Sequence, residues 1–270
     1  MKIVENSKEK WYYKNMQKML GYIRRACQEF SLIESGDKIA VGVSGGKDSL
    51  VLLAGLARMR RFCEFNYELC AITLDPRFNN EDGDYSSVAT LCDSLKVPFT
   101  LIRSNIAEIV FDIRKESNPC ALCSKMRRGA LHDTAKSLGC NKIALGHSFD
   151  DAIETFIMNL FKEGRIGCFS PKSYLSRKDI TMIRPLVFAP ENKIIACCRE
   201  NGFKIIESAC PVDKTTERQR TKDFLSQMEK SDYGFKNRIF GAMRRGGVNG
   251  WDFPKKEKTK TKRSTSESNP

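Results

Sequence analysis

Short apolar runs alternate with amphipathic segments along most of this 270-residue chain. Five runs have the apolar character of strands buried in a parallel sheet: residues 38–43, 67–74, 98–106, 142–147 and 182–188. Between and around them, helical periodicity predicts helices at residues 11–30, 49–59, 84–95, 125–138, 151–162 and 215–245. Strands that alternate with helices predict an α/β fold with a doubly wound, mainly parallel sheet. Ligands of such sheets bind beyond the carboxyl ends of the strands.

The same pattern divides the chain into four segments. Residues 1–36 are predicted to be an N-terminal helical segment, and residues 37–210 the sheet-containing core. Residues 211–253 are predicted to be helical and basic. Residues 254–270 are rich in Lys, Ser and Thr and almost free of apolar residues, so we expect this basic tail to be disordered.

The net charge of +13 comes from 46 Lys and Arg against 33 Asp and Glu. Because the tail supplies only about four of these charges, the body of the protein is itself basic, which favours a polyanionic partner such as RNA. No apolar run reaches the roughly 18 residues of a membrane span. The N-terminus lacks the apolar segment of a signal peptide, so we expect a cytoplasmic protein with no membrane partner.

A glycine-rich segment between the first predicted strand and its helix reads SGGKDS. Adjacent glycines let backbone N–H groups turn toward one anion, and the helix N-terminus adds its dipole. The lysine adds a positive charge, and the aspartate can orient a metal ion or cap the helix. The expected phosphate contacts are Ser44, Gly45, Gly46, Lys47, Asp48 and Ser49.

The spacing distinguishes this segment from two common phosphate-binding motifs. The Walker A motif, G-x-x-x-x-G-K-S/T, has a hydroxyl residue where this chain has Asp48. The dinucleotide-binding fingerprint has spaced glycines, G-x-G-x-x-G, which are absent here. The segment therefore predicts a phosphate-binding loop of another class.

Three of the eleven cysteines stand out. The odd number and the absence of secretion signals argue against a disulfide framework. Cys120 and Cys123 form a C-x-x-C just before a predicted helix, and Cys210 precedes a proline. A dithiol redox pair, a structural zinc site with a fourth ligand such as His147, and a three-cysteine [4Fe-4S] cluster all fit this spacing. Spacing alone does not choose between them.

Taken together, the motifs resemble the tRNA 2-thiocytidine biosynthesis family of the PP-loop N-type ATP pyrophosphatases. The resemblance extends over roughly residues 14–253, and the cysteine motif is more specific than the phosphate loop. The matching segments are SGGKDS at 44–49, CALCSKMRRG at 120–129, KIALGH at 142–147, Asp150-Asp151 and Arg184-Pro185-Leu186.

This resemblance implies a reaction and its cofactors. Family members use ATP and Mg²⁺ to adenylate a carbonyl oxygen of a tRNA base, and sulfur then replaces the AMP. A [4Fe-4S] cluster beside the ATP site would be held by Cys120, Cys123 and Cys210. The implied partners are tRNA and a sulfur donor such as a cysteine desulfurase or sulfide. Where the family usually has paired histidines, this chain has Ser148 and Phe149 after His147.

Three further residues are candidates for the site. Asp151 opens a predicted helix in a capping-box-like arrangement with Glu154, a role compatible with Mg²⁺ binding. His147 ends a predicted strand, where it either contacts the substrate or packs. Asp75 ends the second predicted strand, where the adenosine would lie. With Lys47 and Asp48, Asp151 completes the expected catalytic set.

The sequence therefore predicts an ATP-dependent tRNA sulfurtransferase that forms 2-thiocytidine. One alternative is a PP-loop ligase similar to lysidine synthetase, which would share the loop but need no cysteine cluster. Another is an RNA-binding module with metal-binding or redox cysteines and no catalytic activity, against which the phosphate loop argues. The target position in tRNA, the sulfur donor and the oligomeric state, including a homodimer, are left open.

Overall fold

One six-stranded sheet forms the centre of the protein in a computed structural model that describes residues 14–115, 118–211 and 217–253. Its strands are β1 (Lys38–Gly42), β2 (Glu68–Asp75), β3 (Phe99–Arg103), β4 (Lys142–Ala144), β5 (Lys172–Leu175) and β6 (Ile180–Ile183). They lie in the order β3-β2-β1-β4-β6-β5, and all neighbours are parallel except β5 and β6. The predicted doubly wound, mainly parallel fold is confirmed.

Helices cover both faces of the sheet. They are α1 (Lys14–Phe30), α2 (Lys47–Met59), α3 (Ser86–Leu95), α4 (Pro119–Ser137), α5 (Phe149–Lys162), α6 (Glu191–Glu200), α7 (Glu217–Ser231) and α8 (Phe235–Arg245). The larger core lies under α1, α2 and α6, and a smaller apolar cluster lies between the sheet and α4. The C-terminal helices α7 and α8 pack on α5.

Helix α4 begins earlier than the sequence predicted. The Asn118 side chain accepts a hydrogen bond from the Ala121 N–H at 3.3 Å, and Pro119 follows at the first helical position, where its missing N–H costs nothing. The C-x-x-C motif therefore lies inside the first two turns of the helix, not before it.

Two other predictions need correction. The predicted strand at residues 182–188 ends at Ile183, because Pro185 cannot donate to a ladder and residues 185–188 form a turn. The half-exposed edge strand β5 was not predicted, since it lacks the apolar run of a buried strand. The predicted helix at residues 215–245 is interrupted between α7 and α8, where Gly234 adopts a positive φ of 84°.

Some predictions concern residues outside the described ranges. These are the start of the N-terminal segment before residue 14 and the tail from residue 254. Across the ranges that are described, none of the helices combines the length and apolarity that crossing a bilayer requires. The division at residues 36, 210 and 253 stays a prediction.

A buried ion pair joins the amino ends of β1 and β4. The Lys142 ammonium lies 2.7 Å from the Asp37 carboxylate, and both side chains are buried. Lys142 also donates to the Leu32 carbonyl at 3.0 Å, and Asn141 donates to Asp37 at 2.8 Å. The pair therefore stabilises the central strands at the edge opposite the carboxyl ends.

We expect Asp37→Ala to lower the free energy of unfolding by about 3 kcal/mol, because it leaves a buried ammonium without its main partner. The matched control is Glu68→Ala, which removes an exposed pair with Lys38 at 3.8 Å and should cost under about 0.5 kcal/mol. Urea denaturation of both variants measures the difference. Equal losses would contradict a special role for the buried pair.

Candidate active site

The strand order reverses between β1 and β4, which leaves a crevice beyond their carboxyl ends. The loop after β1 carries residues 44–49, and the loop after β4 carries residues 146–151. Because neighbouring parallel strands end at the same edge, the glycine-rich segment and the Asp-Asp pair face one crevice. The two motifs thus meet at the place where doubly wound sheets bind their ligands.

The two loops touch through backbone. A Cβ atom on Gly146 would lie 3.1 Å from backbone atoms of Asp48 and Ser49, which is closer than side chains ordinarily approach. Any other residue would push the loop after β4 and the start of α2 apart by a few tenths of an ångström. This contact sets the spacing between the phosphate loop and the residues that follow His147.

The phosphate loop is held by its own hydroxyl groups. Ser49 donates to the Gly46 carbonyl at 2.8 Å and accepts from the Ser44 N–H at 3.2 Å, and the Gly46 N–H donates to the Ser44 hydroxyl at 3.3 Å. Gly46 is the extended N-cap residue of α2 and makes no side-chain cap. The first N–H groups of α2 are therefore left for an anion.

A segment from the far end of the core crosses over this loop. Ile206 donates its N–H to the Gly45 carbonyl at 3.0 Å. Gly45 has a φ of 83°, and a Cβ there would lie 2.8 Å from the Ile206 side chain. Cys210 follows four residues later, so it lies within about 14 Å of Ile206 even if the chain is fully extended.

A charged cleft of about 590 Å³ opens beside the loop. Its lining residues are Lys47, Asp48, Ser148, Asp150, Asp151, Glu154, Glu191, Arg218, Gln219 and Lys222. The Lys47 ammonium lies 2.9 Å from Asp48 and 3.0 Å from Glu191. Burial alone would lower the pKa of Lys47, but Asp48 and Glu191 outweigh it and raise that pKa, so the ammonium stays charged.

Two carboxyl groups in the cleft, those of Asp48 and Glu154, have raised pKa values. Asp48 Oδ1 is buried and has no hydrogen-bond partner within the described ranges, and burial raises the pKa of Asp48. Burial, reinforced by the negative charge of Asp151, raises the pKa of Glu154 to about 7. Such groups are stabilised when a cation enters the cleft.

The Asp-Asp pair has structural roles that the sequence predicted only in part. Helix α5 is capped by Ser148, which accepts from the Asp151 N–H at 3.2 Å while Asp151 Oδ2 accepts from the Ser148 N–H at 2.8 Å. The capping box thus runs from Ser148 to Asp151, not from Asp151 to Glu154. Asp151 Oδ1 faces Arg218 at 3.4 Å, and Asp150 binds Lys236 at 2.6 Å.

Of the predicted nucleotide and catalytic residues, Lys47, Asp48 and Asp151 line the cleft, whereas Ser44, Gly45, Gly46, Ser49, His147 and Asp75 do not. The His147 ring lies 4.8 Å from the Phe169 ring, and its buried Nδ1 has no hydrogen-bond partner in the part of the chain that the structure describes. Burial and the nearby Arg184 charge lower the pKa of His147 to about 4. Asp75 is buried and accepts N–H groups from Arg77 at 3.0 Å and Gly83 at 2.8 Å, so it holds the loop after β2.

The three singled-out cysteines share one neighbourhood. Cys120 is exposed, Cys123 is buried and Cys210 is half-buried. Burial raises the pKa of Cys123; the Arg127 charge opposes this, and the nearby thiols of Cys210 and Cys120 reinforce it. As they are placed, no three His, Cys, Asp or Glu side chains of the described residues surround a common metal position.

The sequence did not point to two cleft carboxylates. Glu191 begins α6, far along the chain from Lys47, and no local pattern predicts their contact. Glu154 follows Asp151 by three positions on α5, and that spacing places both on one helix face. The spacing was a usable signal, whereas the Glu191 contact needs the tertiary structure.

Comparisons with known proteins agree with this geometry. Residues 16–229 match the family model of the PP-loop domain. The tRNA-cytidine(32) 2-sulfurtransferase of Geobacter sulfurreducens is 36% identical over 234 residues, which cover 86% of this chain and 89% of the relative. The protein of the same name from Pelobacter propionicus is 38% identical over 77% of this chain and 78% of its own.

A solved structure shares the fold. The U34-tRNA thiolase NcsA from Methanococcus maripaludis, determined with its [4Fe-4S] cluster, has a TM-score of 0.69 and 23% sequence identity. The match covers 86% of this chain and 79% of NcsA. At that identity the likeness demonstrates the common architecture.

We expect His147 to stay neutral in the folded protein until the pH approaches about 4. Unfolded chains protonate histidine near 6.5, so acid favours unfolding, and stability falls as the pH drops from about 6.5 toward 4. The chain has two histidines, and His132→Asn leaves one imidazole signal to follow by NMR. A titration midpoint near 6.5 in that variant would contradict the buried neutral state.

Proposed function

Because the chain belongs to the tRNA-cytidine(32) 2-sulfurtransferase family of PP-loop proteins, we propose that it uses ATP to replace the 2-oxygen of a tRNA cytidine by sulfur. The proposed target is cytidine 32, the position in its relatives' name. The observation that carries the proposal is the Ile206–Gly45 hydrogen bond, which joins the phosphate loop to the segment ending at Cys210.

The phosphates of ATP are proposed to lie on residues 44–49. The free N–H groups at the start of α2 and the Lys47 ammonium both favour a polyphosphate there. Charge that develops on the phosphates in the transition state is stabilised most by donors already in place. Lys47 is therefore assigned to the α-phosphate of the transferred adenylyl group and to the leaving pyrophosphate.

Asp48 and Asp151 are proposed to hold Mg²⁺, which prefers carboxylate and phosphate oxygens. The supporting observations are the unpartnered, buried Asp48 Oδ1 and the burial and nearby Asp151 charge that raise the pKa of Glu154. Bound Mg²⁺ would neutralise charge on the phosphates. The Ser148 cap fixes the orientation of Asp151 toward the cleft.

Cys120, Cys123 and Cys210 are proposed to hold the [4Fe-4S] cluster. The shared neighbourhood of the three thiols fits this donor set, because thiolates are the ligands of iron–sulfur clusters. With these three residues as ligands, the cluster would supply one iron without a protein ligand, from which sulfur could be delivered.

The proposed reaction has two steps. The base carbonyl oxygen attacks the α-phosphorus of ATP, and pyrophosphate leaves. Hydrosulfide then bonds to C2 of the adenylated base while the C2–O bond breaks, which releases AMP and a proton and leaves a C2=S group. Water at the same carbon would regenerate the carbonyl, so the site must deliver sulfur while excluding water.

The partners follow from this chemistry. The tRNA supplies the base, and the basic body of the protein suits its phosphates. Free sulfide is proposed as the sulfur donor, or a cysteine desulfurase whose persulfide a thiol reductant would convert to hydrosulfide with formation of a disulfide. The cytoplasm is proposed as the place of action. A ligase similar to lysidine synthetase would leave the three clustered thiols without a role.

Lys47→Ala should lower the turnover of tRNA thiolation by about 100-fold or more, because it removes the charge that faces the phosphates. Lys193→Ala on the exposed face of α6 removes the same charge away from the loop and should leave turnover unchanged. Thiolated nucleoside released by nuclease digestion measures both variants. Turnover near wild type at saturating ATP would reject the assignment of Lys47.

Each of Cys120→Ala, Cys123→Ala and Cys210→Ala should lose iron and thiolation together, while ATP binding persists. Cys140→Ser is the control, because a hydroxyl can replace the thiol in its 3.4 Å contact with Cys70. Iron, sulfide and thiolated nucleoside are assayed under anaerobic conditions. Full activity of the Cys210 variant, or stoichiometric zinc without iron in an active preparation, would contradict the cluster.

A further inference from the structure

The catalytic lysine is engaged by carboxylates from two elements. Its ammonium lies 2.9 Å from Asp48, the next residue, and 3.0 Å from Glu191 at the start of α6. An ammonium has three donors, and these contacts occupy two of them. One donor is left for a phosphate oxygen, so a phosphate that takes two of the Lys47 donors must displace a carboxylate.

Glu191 is held firmly in place to make this contact. Its backbone N–H donates to Asp150 Oδ2 at 2.7 Å, and Asp150 Oδ1 in turn accepts from Lys236 of α8 at 2.6 Å. As the first residue of α6, Glu191 also benefits from the positive end of the helix dipole. Contacts with residues of α5 and α8 thus fix the position of Glu191 at the start of α6.

A second lysine shares the same oxygen. Lys222 of α7 donates to Glu191 Oε1 at 2.7 Å, and Oε1 is also the atom that Lys47 contacts. Burial works against the charge of Glu191, but hydrogen bonds from Lys222 and Lys47 outweigh it and lower the pKa of the carboxyl group. Glu191 is therefore an ionised competitor for Lys47 at physiological pH.

We propose that Glu191 is a positioning residue that holds Lys47 in the nucleotide-free protein and competes with the phosphates of ATP for it. Lys222 weakens the hold of Glu191 on Lys47, because it donates to the same carboxylate oxygen. The inference rests on the proposed ATP site. It adds to that site a residue, Glu191, that lies outside the SGGKDS motif. After pyrophosphate forms, Glu191 offers Lys47 a replacement partner and thereby aids release of the product.

The two variants of this pair should act in opposite directions. Glu191→Gln keeps the shape and an acceptor oxygen but removes the charge, so ATP should bind about five- to ten-fold more tightly. Lys222→Met strengthens the hold of Glu191 on Lys47 and should weaken ATP binding. A purely structural role would weaken binding in both variants.

Calorimetric titration of the full-length protein with ATP in EDTA provides the measurement. Glu200→Gln, at the exposed end of α6, makes the same change of net charge away from the site and should leave the affinity unchanged. Glu191→Asp keeps the charge on a shorter side chain, and partial tightening there supports the competition if the Gln variant fails to fold. Steady-state assays should show a lower KM for ATP with no gain in kcat, since product release slows.

The outcomes separate this inference from the proposed function. Absence of ATP binding by the wild-type protein would overturn the ATP site itself. ATP binding by the wild type with equal or weaker binding by Glu191→Gln would overturn only the competition. If Glu191→Gln weakens ATP binding only when Mg²⁺ is present, and not in EDTA, Glu191 is a metal ligand. That outcome also overturns the inference.

Discussion

The backbone contact between Gly146 and the start of α2 determines how the rest of the site is arranged. It brings the loop after β1 against the loop after β4, with 3.1 Å between a hypothetical Cβ of Gly146 and the α2 backbone. A larger residue would separate Lys47 and Asp48 from Asp151 and widen the crevice. The strand reversal creates the crevice, and this glycine sets its width.

The cleft carries a charge arrangement that is unfavourable without a ligand. Asp48 Oδ1 is buried and unpartnered among the described residues, and the pKa of Glu154 is raised to about 7. Other buried polar atoms without a partner among the described residues, such as His147 Nδ1 and Arg184 Nε, lie outside the cleft. The cleft differs in combining an unpartnered carboxylate oxygen with a second carboxyl group of raised pKa, which is typical of a site built for binding.

Sequence patterns predicted those features that are formed by residues close together in the chain. The apolar run before SGGKDS, the glycines and the following helix lie within about twenty residues, so the sequence alone predicted β1, the glycine-rich loop and α2. The strand alternation gave the sheet class, yet the half-exposed edge strand β5 lacks the apolar run on which that reasoning relies. The α4 start was missed because the cap depends on one side chain, Asn118, ahead of a motif with weak helical periodicity.

Contacts between distant segments were beyond such patterns. No periodicity relates Glu191 to Lys47, or Asp150 to Lys236, because each pair forms only after helices pack on the sheet. Cys210 was an exception, since the family resemblance by itself associates this residue with the C-x-x-C motif. The predicted roles of His147 and Asp75 stay predictions, and both residues lie off the cleft lining.

The segment that ends at Cys210 gives a second reason why position 45 of the phosphate loop is a glycine. Gly45 must adopt a positive φ for the loop to turn, and it must also be bare where Ile206 crosses it. The absence of a side chain at Gly45 therefore allows both the turn of the loop and the close approach of Ile206. Cys210 lies four residues after Ile206. A change that displaced this segment would therefore disturb both the thiol neighbourhood and the phosphate loop. The adenylating and sulfur-delivering halves of the proposed reaction are thus joined by backbone packing, which ties their geometry more closely than two separately folded sites could.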